Sequence, residues 1–309
     1  MLYSEKNYLN QPLSRIIFGG AAISGEGGGY GFGAMSEKEA EAIIKSSWES
    51  GINIYDTAPI YGFGLSEERL GKFLPEEALV ITKGGVDWHD NMRVNMTNEP
   101  VVIEKMLNQS LHRLKRDSID IYMIHWPDKN VDIRRPLEIL KKAHDDGKIK
   151  KIGLCNTNLE DLKLASEIAN IDFLQSELNA FKQEGFSCLG REWKNRFSMS
   201  WGTLDKGILT GRVTKERKFS KEDCRSWAPW WNKKEVDEKI TRVEKLKPIL
   251  AAHQLSLTEF ALHFNLTYFG IDACLIGFKS KDDLVELTSN LQKNNIRARI
   301  EEVLEQWNK

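Results

Sequence analysis

Eight times along the chain, a short run rich in β-branched and aromatic residues gives way to a longer stretch whose apolar residues recur at helical spacing. The candidate strands are 15–19, 52–56, 79–83, 119–125, 151–155, 173–176, 197–201 and 273–276. Between them lie amphipathic segments such as 36–50, where Ser36 and Glu39 are spaced as a capping box, and 100–114, with apolar Val102, Met106 and Leu107. Alternation of this kind marks βαβ units and a parallel sheet. Eight strands with eight crossovers, and no second zone of composition, favour a closed barrel over an open doubly wound sheet. The expected architecture is α/β, a single (β/α)8 TIM barrel over residues 1–309, a length within the range of that fold.

Two segments fall outside the repeat. The connection between Thr203 and Lys233, after the seventh strand, is unusually long and carries Trp227, Trp230 and Trp231. Two readings compete for it: a lid over the site, or a satellite core under a long loop. Residues 294–309 form an expected charged helix beyond the last strand.

Forty-four Lys and Arg against 45 Asp and Glu give a formal charge of -1, which supplies no global attraction for nucleic acid or an acidic membrane. A small molecule is the expected partner, and nothing indicates the oligomeric state. Cys155, Cys188, Cys224 and Cys274 are scattered, without CxxC pairs or histidines at metal-ligand spacing, and read as reduced thiols. No signal peptide and no run of 18 apolar residues is visible, so the expected location is cytoplasmic.

In a barrel the informative positions are the ends of the strands and the loops that follow, because the interior is packed with apolar side chains. Asp56 ends the second strand, Tyr61 follows in DTAPIYG, Lys83 ends VITK and His125 ends YMIH. Singly, such an Asp caps a helix and such a Lys is solvated. Together they bring a carboxylate, a phenol, an ammonium and an imidazole to one rim. A phenol with an ordinary pKa of about 10 is poorly matched to neutral pH, and a neighbouring ammonium lowers it. Lys83 is expected to do this for Tyr61, with Asp56 holding Lys83 and His125 orienting a substrate oxygen. Such a tetrad needs an external hydride donor. A metal-dependent hydrolase would need clustered ligands at strand ends, and among the six histidines only His125 clearly occupies such a position.

At these residues the sequence resembles the aldo-keto reductase superfamily. GINIYDTAPIYGFGLSEERLGK is similar to its signature, and the likeness continues through KKIGLCNTN, FLQSELN, MSWGTLDKGILTGR and ACLIGFKSKDDLVE. The resemblance implies Asp56, Tyr61, Lys83 and His125 as catalytic residues and a nicotinamide dinucleotide bound without a Rossmann domain. It implies Asp56 among the cofactor contacts as well, Cys155, Asn156 and Gln175 at the carboxamide, and Trp201 stacked on the nicotinamide. Gly20, Ala21, Gly202, Thr203 and Leu204 would follow the cofactor backbone, with Gly277, Phe278, Lys279 and Glu286 around the adenosine. No strand–GxGxxG–helix fingerprint is present, and GEGGGYGFG reads as a flexible loop over the site.

The chain departs from the family where Cys155 replaces a common Ser, Trp201 a Tyr, GTL an SPL, Gly277 a Pro, and Leu287 an Asn. Asp283 stands where Arg or Gln is frequent. A carboxylate there repels a 2'-phosphate while Lys279 and Lys281 attract it, and the balance is drawn toward NADPH with NADH kept open. Trp88, Trp126 and WAPWW are candidate substrate walls. Arg225 is either an anion contact or a loop salt bridge. The expected activity is reversible reduction of an aldehyde or ketone, sugars and their derivatives among the candidates. The alternative is a cofactor-sensing regulatory subunit, a role that members of the superfamily play in ion channels.

Overall fold

The computed structural model describes residues 2–6, 9–292 and 296–308. The first half contains β1 (Ile16–Gly19), α1 (Glu37–Glu49), β2 (Ile54–Asp56), α2 (Leu65–Phe73), β3 (Leu79–Gly84), β4 (Val86–Trp88), β5 (Val94–Met96), α3 (Pro100–Leu114), β6 (Ile119–Ile124) and α4 (Arg134–Asp145). The second contains β7 (Ile149–Cys155), α5 (Leu159–Ile168), β8 (Ile171–Glu177), α6 (Glu184–Ser187), β9 (Phe197–Trp201), α7 (Lys233–Ala252), α8 (Leu257–His263), β10 (Ala273–Ile276), α9 (Lys281–Ser289) and α10 (Ile296–Trp307). Eight parallel strands close in the order β1-β2-β3-β6-β7-β8-β9-β10, and β1 completes the ring by pairing Phe18 with Tyr55 of β2 and Ile17 with Leu275 of β10. This is the (β/α)8 barrel expected from the alternation, with all eight strands near their expected places.

Period-two alternation explains where the core sits. One parity, including Ile17, Ile54, Ile81, Ile121, Phe173, Phe197, Met199 and Leu275, forms the cluster that fills the barrel. The other parity, including Ile16, Phe18, Tyr55, Val80, Tyr122 and Leu174, packs outward with Ile43, Leu107, Leu137 and Leu162 of the surrounding helices. The helices begin where their sequence says they should. Ser36 and Glu39 cap α1 reciprocally, with Ser36 Oγ accepting from the Glu39 amide at 3.3 Å and the Glu39 carboxylate from the Ser36 amide at 2.8 Å. Pro100 opens α3, where its missing N–H costs nothing.

Three features refine the expected picture. The β4–β5 hairpin follows β3 as a separate two-stranded sheet, which no periodicity indicated because each strand has only three residues. In the long segment after β9 the tryptophans divide. Trp231 joins a satellite core of Ile208, Leu209 and Val213 with Val236, Ile240 and Val243 of α7. Trp227 and Trp230 stay largely exposed and face Tyr30 of the glycine-rich loop, at centroid distances of 5.4 and 6.5 Å. That loop is also tied down: Cys224 N donates to Gly31 O at 2.9 Å and Gly33 N to Glu222 O at 3.2 Å. The expected terminal helix is α10, with Ile300 and Val303 buried; residues 294, 295 and 309 lie outside the described residues.

Phe197 is fully buried in the barrel interior and meets Phe173 at 5.4 Å. Phe197→Ala is expected to cost roughly 3–5 kcal/mol, seen in urea unfolding as a lower midpoint with an unchanged slope.

Candidate active site

The parity that fills the barrel also delivers its polar ends. Asp56 lies two residues beyond Ile54, Lys83 two beyond Ile81, Gln175 two beyond Phe173 and Trp201 two beyond Met199. His125 follows Met123 in the same way. These side chains therefore converge on the C-terminal mouth, around a cavity of ≈ 1230 Å³.

Lys83 and Asp56 form the buried centre. Lys83 Nζ donates to Asp56 Oδ1 at 2.6 Å and to Thr57 O at 2.9 Å, and its side chain is wholly buried. Gln175 Nε2 donates to Asp56 Oδ2 at 2.8 Å. From there a chain of bonds crosses the mouth. The Cys155 thiol donates to Gln175 Oε1 at 3.3 Å and accepts from Asn156 Nδ2 at 3.1 Å, and Trp201 Nε1 donates to Asn156 Oδ1 at 2.9 Å. Asn156 has φ 54°, a left-handed conformation that Asn tolerates better than most residues, and its amide also reaches His125 O at 3.1 Å. The strained residue thereby aims two neighbours at once.

Tyr61 is placed by the turn after β2, its amide donating to Ala58 O at 3.0 Å. Gly62 follows at φ 65°, where a Cβ would come within 2.5 Å of Ser24 O, so this turn requires glycine. The Tyr61 ring meets His125 edge-on at 6.1 Å and lies under Lys83, whose Nζ is 5.5 Å from the ring centroid.

Burial governs the electrostatics. For Lys83, desolvation works against the ammonium, but Asp56 and Tyr61 together outweigh it and the proton is held above the ordinary lysine range. Desolvation, assisted by the Lys83 charge, pushes His125 well below its usual value and leaves it a neutral imidazole at neutral pH. Tyr61 corrects the sequence expectation. Desolvation pushes its phenol up to about 12, Lys83 lowers it only in part, and Asp56 raises it further. The ammonium moderates an elevated pKa instead of producing a depressed one, so the hydroxyl keeps its proton at neutral pH.

Of the residues the resemblance implied for the cofactor, Ala21, Asp56, Cys155, Asn156, Gln175, Trp201, Gly202, Thr203, Leu204, Gly277, Phe278, Lys279 and Glu286 line the cavity. Gly20 is not among the lining residues; a Cβ there would come within 2.5 Å of Ser66 Oγ. Of the substrate candidates, Tyr61, His125, Trp126 and Arg225 line it, whereas Trp88 turns to Phe63 at 5.2 Å. The Arg225 guanidinium is committed: Nε and Nη2 donate to Asp223 at 2.9 and 2.7 Å, Nη1 to Lys206 O at 2.7 Å, and its face covers Phe219 at 4.1 Å. The loop salt bridge is the arrangement adopted. Leu287, Asp283 and the unanticipated Tyr30, Glu177, Lys206 and Arg212 also border the cavity. Lys206 donates to Glu177 at 2.6 Å and sits 5.5 Å from the Trp201 ring and 5.4 Å from Trp230. Arg212 bridges Asp283 and Glu286. Only the folded loops bring these together, and no local pattern announces them.

The wall fits a dinucleotide. It offers amide donors and acceptors, an indole face and bare backbone at Gly202 (φ 69°) and Gly277, where a Cβ would meet Ala22 Cβ at 2.9 Å. Among the described residues no group of three or more His, Cys, Asp or Glu is placed to hold a metal ion. A sequence profile of the Aldo/keto reductase family matches residues 15–308. The chain belongs to this family. It is 33% identical over 283 residues to the aldo-keto reductase YhdN of Bacillus subtilis, covering 89% of this chain and 84% of the relative. It is 27% identical to an NADH-specific methylglyoxal reductase of Escherichia coli, covering 91% of each. The solved glycerol dehydrogenase of Gluconobacter oxydans superposes with a TM-score of 0.81 at 28% identity, covering 99% of this chain and 95% of that one. This aldo/keto reductase is accordingly an oxidoreductase of small carbonyl compounds that works with a nicotinamide dinucleotide. Among the described residues no helix is long and apolar enough to cross a membrane.

His125 is expected to protonate only well below the ordinary imidazole value, because burial and the Lys83 charge both disfavour its cation. An imidazole ¹⁵N titration should show no transition around that ordinary value of about 6.5; a midpoint there would contradict the assigned burial.

Proposed function

We propose that this enzyme reduces an aldehyde or ketone, and oxidises the alcohol in reverse, with Tyr61 as the proton donor and acceptor. The observation that carries this reading is the meeting of Tyr61 and His125 beside the buried Lys83–Asp56 pair, at the floor of one cavity. The dinucleotide, when bound, supplies the hydride, which no side chain can. The Tyr61 hydroxyl gives its proton to the carbonyl oxygen as negative charge grows there, and Lys83 stabilises the phenolate left behind. Neutral His125 donates one ring N–H to the same oxygen and orients it. Asp56 keeps Lys83 charged and in place. Asn156, Cys155 and Gln175 would hold the carboxamide edge, while Trp201, fixed by Asn156, would provide the stacking face.

At the adenosine end, Asp283 and Glu286 border the cavity and share Arg212, while Lys279 Nζ is engaged by Gly33 O at 2.9 Å and Ala34 O at 3.2 Å. Two carboxylates there share the one guanidinium of Arg212, and Lys279 is turned to backbone carbonyls. An acidic group accepts from a ribose 2'-hydroxyl and repels a 2'-phosphate, which supports NADH over NADPH and revises the balance drawn from Lys279 and Lys281. The four cysteines are free thiols, in keeping with work in a reducing cytoplasm.

Tyr61→Phe should lower turnover by roughly 10²-fold or more while fluorescence titration shows dinucleotide binding largely intact; wild-type turnover would sink the assignment. Lys83 lowers the phenol pKa, so Lys83→Met should raise it and move the alkaline limb of alcohol oxidation to higher pH. The same change leaves Asp56 buried and unpaired, costing on the order of 3–5 kcal/mol in unfolding experiments. For Asp283→Asn, the ratio of kcat/KM with NADPH to that with NADH should rise by about tenfold, the equivalent of ~1.4 kcal/mol; an unchanged ratio would remove Asp283 from cofactor choice.

A further inference from the structure

The β4–β5 hairpin has two unlike faces. Pairing sets Val86 opposite Met96 and Trp88 opposite Val94, so all four lie on one face, while Asp87 and Asn95 form the other. The polar face meets solvent and helix α3, where Lys105 reaches Asp87 at 3.3 Å. The apolar face is turned to the site: Val86, Val94 and Met96 line the cavity, and Val86 packs in one cluster with Ala58 and Ile60, joined by Val94 and Tyr61 itself. Met96 is nevertheless 55% exposed and Trp126, on the neighbouring loop, 39%. Large apolar side chains left open beside a reacting group, and continuous with it, mark a ligand wall.

The wall is preformed. Thr97 N donates to Gly85 O at 3.1 Å and closes the base of the hairpin. Asn98, fully buried, donates from Nδ2 to Trp126 O at 3.1 Å and accepts from Asp128 N at 2.7 Å, fastening the hairpin exit to the loop after β6. Gly85, at φ 99°, allows this approach, since a Cβ there would lie 2.4 Å from Asn98 Nδ2. Hairpin and Trp126 are therefore one unit, held next to Tyr61 and His125.

From this we infer that the preferred substrate carries an apolar substituent, alkyl or aryl, of several carbons beside its carbonyl, and that Val94 and Met96 determine this specificity. The inference rests on the proposed carbonyl reduction and names the substrate class for that site. Apart from the single indole N–H of Trp126, the lining residues on this side, Ile60, Val86, Val94 and Met96, offer no side-chain hydrogen-bonding group, so a polyhydroxylated substituent pressed against them would lose most of its hydration without replacement. An alkyl chain loses nothing there and removes apolar surface from water on both sides.

The test is a homologous series of straight-chain aldehydes, propanal to octanal, with glyceraldehyde as the hydroxylated comparison, assayed with the full-length enzyme and saturating NADH and, separately, NADPH. For the wild type, kcat/KM should rise about fourfold per methylene over the first few carbons and exceed that for glyceraldehyde by 10²-fold or more at the top of the series. In Val94→Asn and Met96→Ser the rise per methylene should fall to about half or less, with the unfolding midpoint recording that each variant is folded. A flat series in the folded wild-type enzyme, a preference for glyceraldehyde, or an undiminished slope in both folded variants would overturn the inference while leaving carbonyl reduction standing. Absence of turnover with every aldehyde would overturn aldehyde reduction and the inference together.

Discussion

Everything at the mouth of this barrel depends on one ion pair that water does not reach. Lys83 and Asp56 lie 2.6 Å apart with almost no exposed surface. Burying two charges is expensive, and the expense is offset by their mutual attraction together with the further hydrogen bonds that Thr57 and Gln175 supply. Because the pair is rigid, its surroundings become rigid too. Gln175 is held by Asp56, Cys155 by Gln175, Asn156 by Cys155, and Trp201 by Asn156. A fixed charge at one side of the mouth thus sets the angle of an indole at the other, with a thiol as the softest link. Cys155 serves this chain as a serine would, donating one bond and accepting another, and burial keeps its proton in place by raising its pKa.

The same burial sorts the proton-carrying groups. A neutral imidazole, a protonated phenol and a charged ammonium stand within one small volume at neutral pH, each in a state set by how much water it has lost and by which charge it faces. No single neighbour decides the phenol. The ammonium draws its pKa down, the carboxylate and desolvation drive it up, and desolvation is the largest of the three.

This division also explains what was legible in the sequence. Strand parity is a local property, so Ile54 and Asp56, or Met199 and Trp201, could be placed on one face by counting, and the barrel and its polar rim followed from that. The balance on Tyr61 could not be counted, since desolvation belongs to the folded cavity. Arg225 was ambiguous because Asp223, two residues away, is a neighbour in any fold, while Lys206 O and Phe219 are partners only in this one. Lys206 and Arg212 lie inside MSWGTLDKGILTGR, yet nothing local marks them, because their partners Glu177, Asp283 and Glu286 lie 29, 71 and 74 residues away. The hairpin escaped for the opposite reason: its strands are too short for any period to show.

That hairpin hydrogen-bonds as a sheet only to itself, and the barrel strands on either side of it, β3 and β6, pair directly with each other. Solvent-exposed side chains of the hairpin such as Met96 can therefore change without disturbing the register of the barrel, whereas Val86, packed with Ala58, Ile60 and Tyr61, is tied to the site. The proposed proton relay is anchored on the barrel strands and the turn after β2, and the proposed selectivity on a unit whose sheet bonding is separate from them. On the proposed reading, the carbonyl accepted can be retuned at a few hairpin side chains while the groups around Tyr61 stay as they are.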